Sequence, residues 1–239
     1  MPEALTRNNN DDFRPVALGV NPGNVNRRSK EMETTISEFA NTAGQAGATF
    51  GLTIRDSNLQ TLTDYYALVM KWNERLHLVA PCSAEEFAIR HVLESLLLLR
   101  HLPVNASIVD VGSGAGLPAI PCLLVRDDLK ATLIESSQKK GVFLREALRA
   151  VKPADRAQLT VARFENIPSP KADFVTCRAL DRFEDILPDL VEWAPPNATF
   201  VLFAGHGVRK RIESIFSNVQ VELIPRTEQR FLIIAGPQI

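Results

Sequence analysis

Apolar residues recur at two different periods along this chain, and the change falls near Pro103. In "LTDYYALVMKWNERLHL", Leu62, Tyr66, Val69, Trp72 and Leu76 stand three and four residues apart. That spacing makes one apolar stripe of an amphipathic helix. Ser83, followed three residues later by Glu86, has the form of a capping box. It opens a second helix, "AEEFAIRHVLESLLLLRHL", which Pro103 ends. Upstream, "SKEMETTISEFANTAGQAGATFGLTI" predicts a helix broken near Gly44 to Gly51. Residues 33–103 are therefore expected to form a small helical cap.

From residue 104 to 239 the pattern becomes short β-rich runs alternating with helices. The runs are "SIVDV" (107–111), "ATLIE" (131–135), "QLTVA" (158–162), "DFVTC" (173–177) and "ATFVLF" (198–203). Between them lie "PAIPCLLVR" and "SQKKGVFLREALRAV", the latter with Val142, Leu144, Ala147, Leu148 and Val151 as its apolar face. Such alternation implies a doubly wound parallel sheet with helices on both faces. The final runs, "VQVELIP" and "RFLIIAG", flank a short polar turn and read as an antiparallel hairpin closing that sheet. The expected fold is thus α/β and Rossmann-like, with seven mostly parallel strands behind a helical cap.

Composition changes this picture little. The chain has 239 residues, 45% hydrophobic and 23% charged, with a formal net charge of -1, so no global basicity announces nucleic-acid binding. Cys82, Cys122 and Cys177 are scattered among apolar residues, without metal-like spacing. They read as free thiols in a reducing cytoplasm. No apolar run approaches the ~20 residues of a membrane helix. Residues 1–32, rich in Asn, Pro, Gly and charge, read as a flexible leader. No metal site is expected.

The chemistry concentrates in "IVDVGSGAGLPAIP", where Asp110 ends a strand and Gly112, Gly114 and Gly116 follow. In a doubly wound sheet, ligands bind beyond the carboxyl ends of the strands, beside the switch point. Glycines there let the backbone turn sharply and approach a ligand closely. Glu135, at the end of the next strand, can accept the hydroxyls of a ribose. A dinucleotide turn and a methyl-donor pocket share this logic. Leu117 and Pro118 stand where the dinucleotide fingerprint has Gly or Ala and a freely running helix. Asp110 places a negative charge where pyrophosphate would lie, but suits a sulfonium or an amino group. The chemistry favours S-adenosylmethionine over NAD.

Several ordered blocks resemble the RsmG (GidB) family, bacterial methyltransferases acting on N7 of a guanine in 16S ribosomal RNA. "KWNERLHLV" is similar to the family's Lys-Trp-Asn block and "RHVLESL" to its Arg-His-x-x-Asp-Ser block. "IVDVGSGAGLPAIP" and "LIESSQKKGVFLREA" resemble its cofactor loop and the segment that follows. "ARFENI" and "CRALDRFEDIL" resemble its Arg-x-Glu-Glu and Ser-Arg-Ala segments. The resemblance runs from about residue 60 to the C-terminus.

The resemblance implies that Gly112 and Leu117 line an S-adenosylmethionine site. It implies that Phe164 and Glu165 flank the adenine, and that Arg178 stands where methyl donor meets acceptor. It further implies 16S ribosomal RNA or a precursor of the small ribosomal subunit as partner; a monomer is expected, in the cytoplasm that the free thiols suit. Guanine N7 carries a lone pair and no proton, so no general base is expected. Arg178 is read as a group contacting the N7 and O6 edge, a phosphate or the cofactor carboxylate. Arg90 and His91 are read as lining the site; Trp72 and Asn73 either hold a base or, for Trp72, sit in the core. The basic groups at 209–211, with Lys139, Lys140, Arg145 and Arg149, are candidate phosphate contacts.

The chain departs from the family pattern in "FAGHG", where Ala204 stands in place of a Lys. Leu78 and Val79 follow His77 where the family has Asn-Leu-Thr, and "ARFENI" lacks the second Glu. The rival readings are a non-catalytic ribosome-associated relative, a methyltransferase on another substrate, and an NAD-dependent oxidoreductase.

Overall fold

The computed structural model describes residues 22–151, 154–178 and 183–236. Two compact units divide at Thr34–Thr35, inside the first helix, α1 (Pro22–Ala46). Residues 22–32, expected to belong to a flexible leader, are helical. Pro is well suited to a first helical turn, and Arg27, Arg28, Lys30, Glu31, Met32 and Glu33 are good to moderate helix formers. Residues 1–21 of that leader lie outside the described residues.

In the second unit, a single 3-10 turn (Gly47–Phe50) ends α1, with Gly51 left-handed at φ 63°. This is the break expected near Gly44 to Gly51. Then come α2 (Asp56–Leu76) and a long helical stretch, α3. The latter runs without interruption through Ala84–Glu86, a π-helical Phe87–Leu93, Glu94–Leu96 and a 3-10 Leu97–His101. The Ser83 hydroxyl accepts from the Glu86 amide at 3.0 Å, as half of the capping box requires. Phe39 stacks on Tyr66 at 4.6 Å, and Phe87 packs against both rings. Leu62, Tyr66 and Val69 of the α2 stripe are buried, while Trp72 and Leu76 at its C-terminal end are half-buried.

The strands are β1 (Ser107–Val111), β2 (Lys130–Ile134), β3 (Ala157–Thr160), β4 (Phe174–Arg178), β5 (Thr199–Gly205), β6 (Val219–Leu223) and β7 (Arg230–Ala235). They form one seven-stranded sheet in the order β3-β2-β1-β4-β5-β7-β6. β7 alone pairs antiparallel, with β5 on one side and β6 on the other. The expected Rossmann-like sheet and its closing hairpin are therefore present. The helices that cross between strands are α4 (Ala119–Val125), α5 (Gln138–Leu148), α6 (Phe183–Trp193) and α7 (His206–Ile215).

Alternation along the strands sends successive residues to opposite faces. Ile108 and Leu133 join the cap, α4 and α5 in one apolar cluster. Val109, Val111 and Ile134 join α6 and α7 in the other. The cap and one sheet face thus share a single core. Of the apolar face expected for α5 and its extension, Leu144, Ala147 and Val151 are buried and Leu148 half-buried, but Val142 is exposed, and Gly141 and Phe143 are buried instead. Gly141 sets that rotation, because a Cβ there would fall 2.7 Å from Val161 Cγ2, so the helix lies directly on the chain after β3.

Cys122 and Cys177 are buried and Cys82 half-buried, all three as free thiols. Arg156, nearly fully buried, donates to the carbonyls of Leu123, Arg126 and Leu129 at 2.6–3.1 Å. It tethers the α4–β2 connection. Among the described residues no helix is long and apolar enough to cross a membrane.

Candidate active site

The strand order reverses between β2-β1 and β1-β4, so the open end of the sheet lies above β1 and β4. There the chain leaves Val111 and turns through three glycines with positive φ: 72° at Gly112, 55° at Gly114 and 84° at Gly116. The amides of Gly112 and Ser113 both donate to the Ile134 carbonyl, at 2.8 and 3.1 Å. Those of Gly116 and Leu117 donate to the Ser113 carbonyl, at 2.6 and 3.2 Å. The Gly114 amide donates to Glu135 Oε2 at 2.8 Å, and the other oxygen of Glu135 accepts from the Ser137 amide at 2.7 Å. A pyrophosphate cradle presents free N–H groups to its ligand; here five of the six amides from Gly112 to Leu117, all but that of Ala115, are spent within the protein. Glu135 is the buried clamp of this turn, and each of its oxygens retains a lone pair for one further donor.

Gly116 is constrained twice over. A Cβ would lie 2.3 Å from Ile120 Cδ1 and 2.7 Å from Cγ1, in a left-handed backbone. At Gly114 the nearest atom is the Gly112 carbonyl oxygen at 3.7 Å, so only the backbone cost of about 1 kcal/mol applies there. Gly116→Ala is expected to lower stability by about 2–4 kcal/mol, with Gly114→Ala near 1. Urea unfolding of the two variants checks this, and equal losses would contradict it.

Beneath the turn, Asp110 and Thr176 are register partners on β1 and β4. Both project to the cap side, and both are fully buried. Both carboxylate oxygens of Asp110 and the Thr176 hydroxyl lack hydrogen-bond partners among the described residues. Burial pushes the Asp110 carboxyl up to about 8; the neighbouring Ser113 side chain opposes that shift and the nearby Glu135 charge adds to it. The Tyr65 hydroxyl, from α2, donates to the Ala115 carbonyl at 2.6 Å and closes the pit from the cap side. Burial holds Tyr65 in its protonated form. An unpartnered, desolvated carboxylate in such a pit is satisfied by a cationic ligand and is hostile to a phosphate.

Arg178, the last residue of β4, is also on this face, but its guanidinium is turned into the cap. One terminal nitrogen donates to the His91 carbonyl at 3.5 Å and the Ser95 hydroxyl at 3.3 Å. The other donates to the Arg90 carbonyl and to Glu94 Oε2, the latter at 3.1 Å. The guanidinium also lies 5.2 Å from the centre of the Phe203 ring. Glu94 is fully buried, and its second oxygen lies 2.8 Å from Arg230 at the start of β7. Burial raises the Glu94 carboxyl, while Arg178, Arg230 and Arg90 oppose that shift. His91 is held neutral, its pKa lowered to about 3 by burial and by the same arginines. Arg178 thereby fastens β4 to the π-helical turn, where the wider helical register leaves carbonyls to be satisfied from outside.

The remaining candidates fall in several places. Leu117 is buried in the turn. Phe164, in a short 3-10 turn after β3, is buried edge-on against Trp193 at 5.4 Å. Glu165, beside it, pairs with Arg163 at 3.1 Å rather than with the glycine turn. Trp72 packs on Phe143 and donates to Glu146, and Asn73 accepts from the Val79 amide at 2.9 Å; both shape the cap. Arg90 pairs with Glu86 on its own helix. Ala204 is buried beside its cross-strand partner Phe231, on whose ring Arg209 and His206 lie. Arg209 also pairs with Glu213 at 2.8 Å, while Lys210 and Arg211 are exposed. Sequence reasoning missed Tyr65, Glu94, Thr176 and Arg230. For Glu94 there was a signal: an acid inside the apolar run "VLESLLLL" has to be paired.

Comparison with known proteins gives a consistent family. Ribosomal RNA small subunit methyltransferase G of Neisseria meningitidis serogroup B is 30% identical over 181 residues, 76% of this chain and 87% of that protein. The protein of the same name from Xanthomonas campestris pv. campestris is 34% identical over 155 residues, 64% of this chain and 72% of the relative. Among solved structures, a precorrin-6y C5,15-methyltransferase from Geobacter metallireducens superposes with a TM-score of 0.47 at 15% identity, covering 61% of this chain and 87% of the other. The sequence model described as rRNA small subunit methyltransferase G matches residues 58–231, spanning cap, glycine turn and sheet. The chain belongs to the rRNA small subunit methyltransferase G (GidB) family.

Proposed function

We propose that the chain methylates N7 of a guanine in 16S ribosomal RNA, using S-adenosylmethionine, as a cytoplasmic monomer. The observation that carries the cofactor half is the pit at the switch point. Asp110 lies there without a hydrogen-bond partner among the described residues, under a glycine turn five of whose amides are already committed. S-adenosylmethionine supplies a sulfonium-activated methyl group together with an ammonium. In this reading Asp110 answers that positive charge, Glu135 uses its remaining lone pairs on the ribose hydroxyls, and Phe164 offers an apolar face to the adenine. Gly112, Gly114, Gly116 and Leu117 form the backbone wall. Glu165 stands at the rim of the adenine end.

The acceptor needs no general base, so the chain's contribution is alignment and exclusion of water. Arg178 serves as a positioning residue, because both terminal nitrogens are engaged by α3. It holds the cap, and with it Tyr65 and His91, over the end of β4. A neutral His91 with an unpartnered, buried Nδ1 offers a ring nitrogen rather than a second positive charge beside the sulfonium.

One observation favours a second reading, a non-catalytic relative that retains the pit: Ala204 occupies, in a buried apolar setting, the place of the family Lys. Mass mapping of 16S ribosomal RNA from a strain lacking this chain separates the two. Loss of a single N7-methylguanine, restored by the purified protein with S-adenosylmethionine, is expected. Unchanged methylation in that strain would dispose of the proposed reaction.

A further inference from the structure

A second concavity opens beside the pit, between the π-helical turn of α3 and the turn joining β6 to β7. It is a shallow, open depression of about 820 Å³ lined by Arg90, Arg226, Thr227, Glu228, Gln229 and Arg230. No apolar side chain lines it, so it offers nothing against which a hydrophobic ligand could be buried. Its lining holds three arginines and one acid, Glu228, while Arg90 and Arg230 also pair with Glu86 and Glu94 beyond it. Resting on the methyltransferase reading above, we propose that this cavity binds the phosphodiester backbone of the substrate RNA, with Arg226 as its free cation.

The three arginines are not equivalent. Arg230 is fixed in advance: its Nε donates to the Thr227 hydroxyl at 3.5 Å, and a terminal nitrogen lies 2.8 Å from Glu94. Arg90 is tied to Glu86 across one helical turn. Arg226 makes no side-chain hydrogen bond or ion pair among the described residues, and it is exposed. Its backbone is left-handed, φ 63°, a conformation that glycine or asparagine adopts more readily than arginine. A long cationic side chain at such a position is a local cost without a local return, which points to a ligand rather than to the fold. A planar guanidinium with free donors matches the paired oxygens of a phosphodiester.

The cavity is also linked to the reaction end of the sheet. Glu94 reaches Arg230 with one oxygen and Arg178 with the other. The phosphate subsite is therefore one buried carboxylate away from the residue that closes β4. A backbone held there would set the position of the neighbouring base over the pit. The chain's near-neutral overall charge makes such a local cluster the expected way for it to hold RNA.

The test compares the wild type with Arg226→Gln, and with Lys130→Gln as an exposed cation at the opposite end of the sheet. Binding of an unmethylated 16S ribosomal RNA transcript is measured across a range of salt concentrations. Arg226→Gln is expected to weaken binding roughly 5- to 10-fold at low salt and to reduce the slope of log Kd against log salt by about one. Its affinity for S-adenosylmethionine by calorimetry should be unchanged, and in turnover KM should rise with kcat preserved. Equal Kd and slope in Arg226→Gln and wild type would overturn the subsite, as would an equal loss in Lys130→Gln. Titration with inorganic phosphate and guanosine monophosphate forms a further arm. Tight uptake of either, abolished by Arg226→Gln without any change in the RNA slope, would reassign the cavity to a free anion. A wild type that neither binds nor methylates the transcript or small subunits would instead remove the methyltransferase reading itself.

Discussion

Asp110→Asn is expected to cost the protein about 100-fold in S-adenosylmethionine affinity while making the ligand-free fold more stable above neutral pH. The two effects have opposite signs because they have one cause. Asp110 is fully buried with both oxygens unpartnered, so its charge is a burden until a cation answers it. The affinity loss corresponds to about 3 kcal/mol of charge compensation forgone. The carboxyl is pushed up to about 8, far above the unfolded range near 4. A raised folded value means that its stabilising share is complete below about pH 4 and is lost as pH rises toward 8, by about 1 kcal/mol per pH unit. Calorimetric melting of the ligand-free protein from pH 5 to 8 should show this decline in the wild type and a flatter profile in Asp110→Asn. Cofactor uptake near pH 7 should also release a proton, detectable by titration in buffers of different ionisation heat. Identical cofactor affinity in the two proteins would refute the assignment of Asp110.

The second large effect is expected at Glu94. Removing one member of a buried charge cluster leaves the others uncompensated, at a typical cost of about 3–5 kcal/mol. Glu94→Ala strips the largely buried Arg178 and the half-buried Arg230 of their shared carboxylate. For a chain of this size that corresponds to a fall in Tm of about 6–20 °C. Glu94→Asp keeps the charge and should recover part of the loss. A double-mutant cycle of Glu94→Gln with Arg230→Gln should give a coupling of about 1 kcal/mol or more. Thermal melting of the four proteins checks both statements. A Glu94→Ala protein melting within 2 °C or so of the wild type would show that the cluster contributes nothing net.

Much of this was legible beforehand, for identifiable reasons. The strands β1 to β7 follow from β-rich runs set between turn residues and helical stripes, and the glycine turn announced itself by composition. The sequence marks Glu135 as a candidate ribose carboxylate, but its grip on the Gly114 amide is a property of register, not of spacing. Arg178 shows the limit most clearly. A motif marks it as important, yet only the packing of α3 against β4 reveals that its donors face the cap. The π-helical register of Phe87–Leu93 has no periodic signature, because one widened turn hardly disturbs an apolar stripe. Val142 was misplaced because a helix with three small or apolar neighbours on adjacent faces does not fix its own rotation; contact at Gly141 does.

The bridge from Glu94 to both Arg178 and Arg230 has a consequence for how pieces of such proteins can be exchanged. Cap and sheet look like separable modules in the chain, since they occupy consecutive stretches. The charges ignore that boundary: the carboxylate is inherited with the cap and its two guanidiniums with the sheet. A chimera joining this cap to a relative's sheet inherits a matched set only if the positions of residues 94, 178 and 230 travel together. Transplanting the cap alone moves an acid into a new interior without its bases, and the seam fails where the two modules should join.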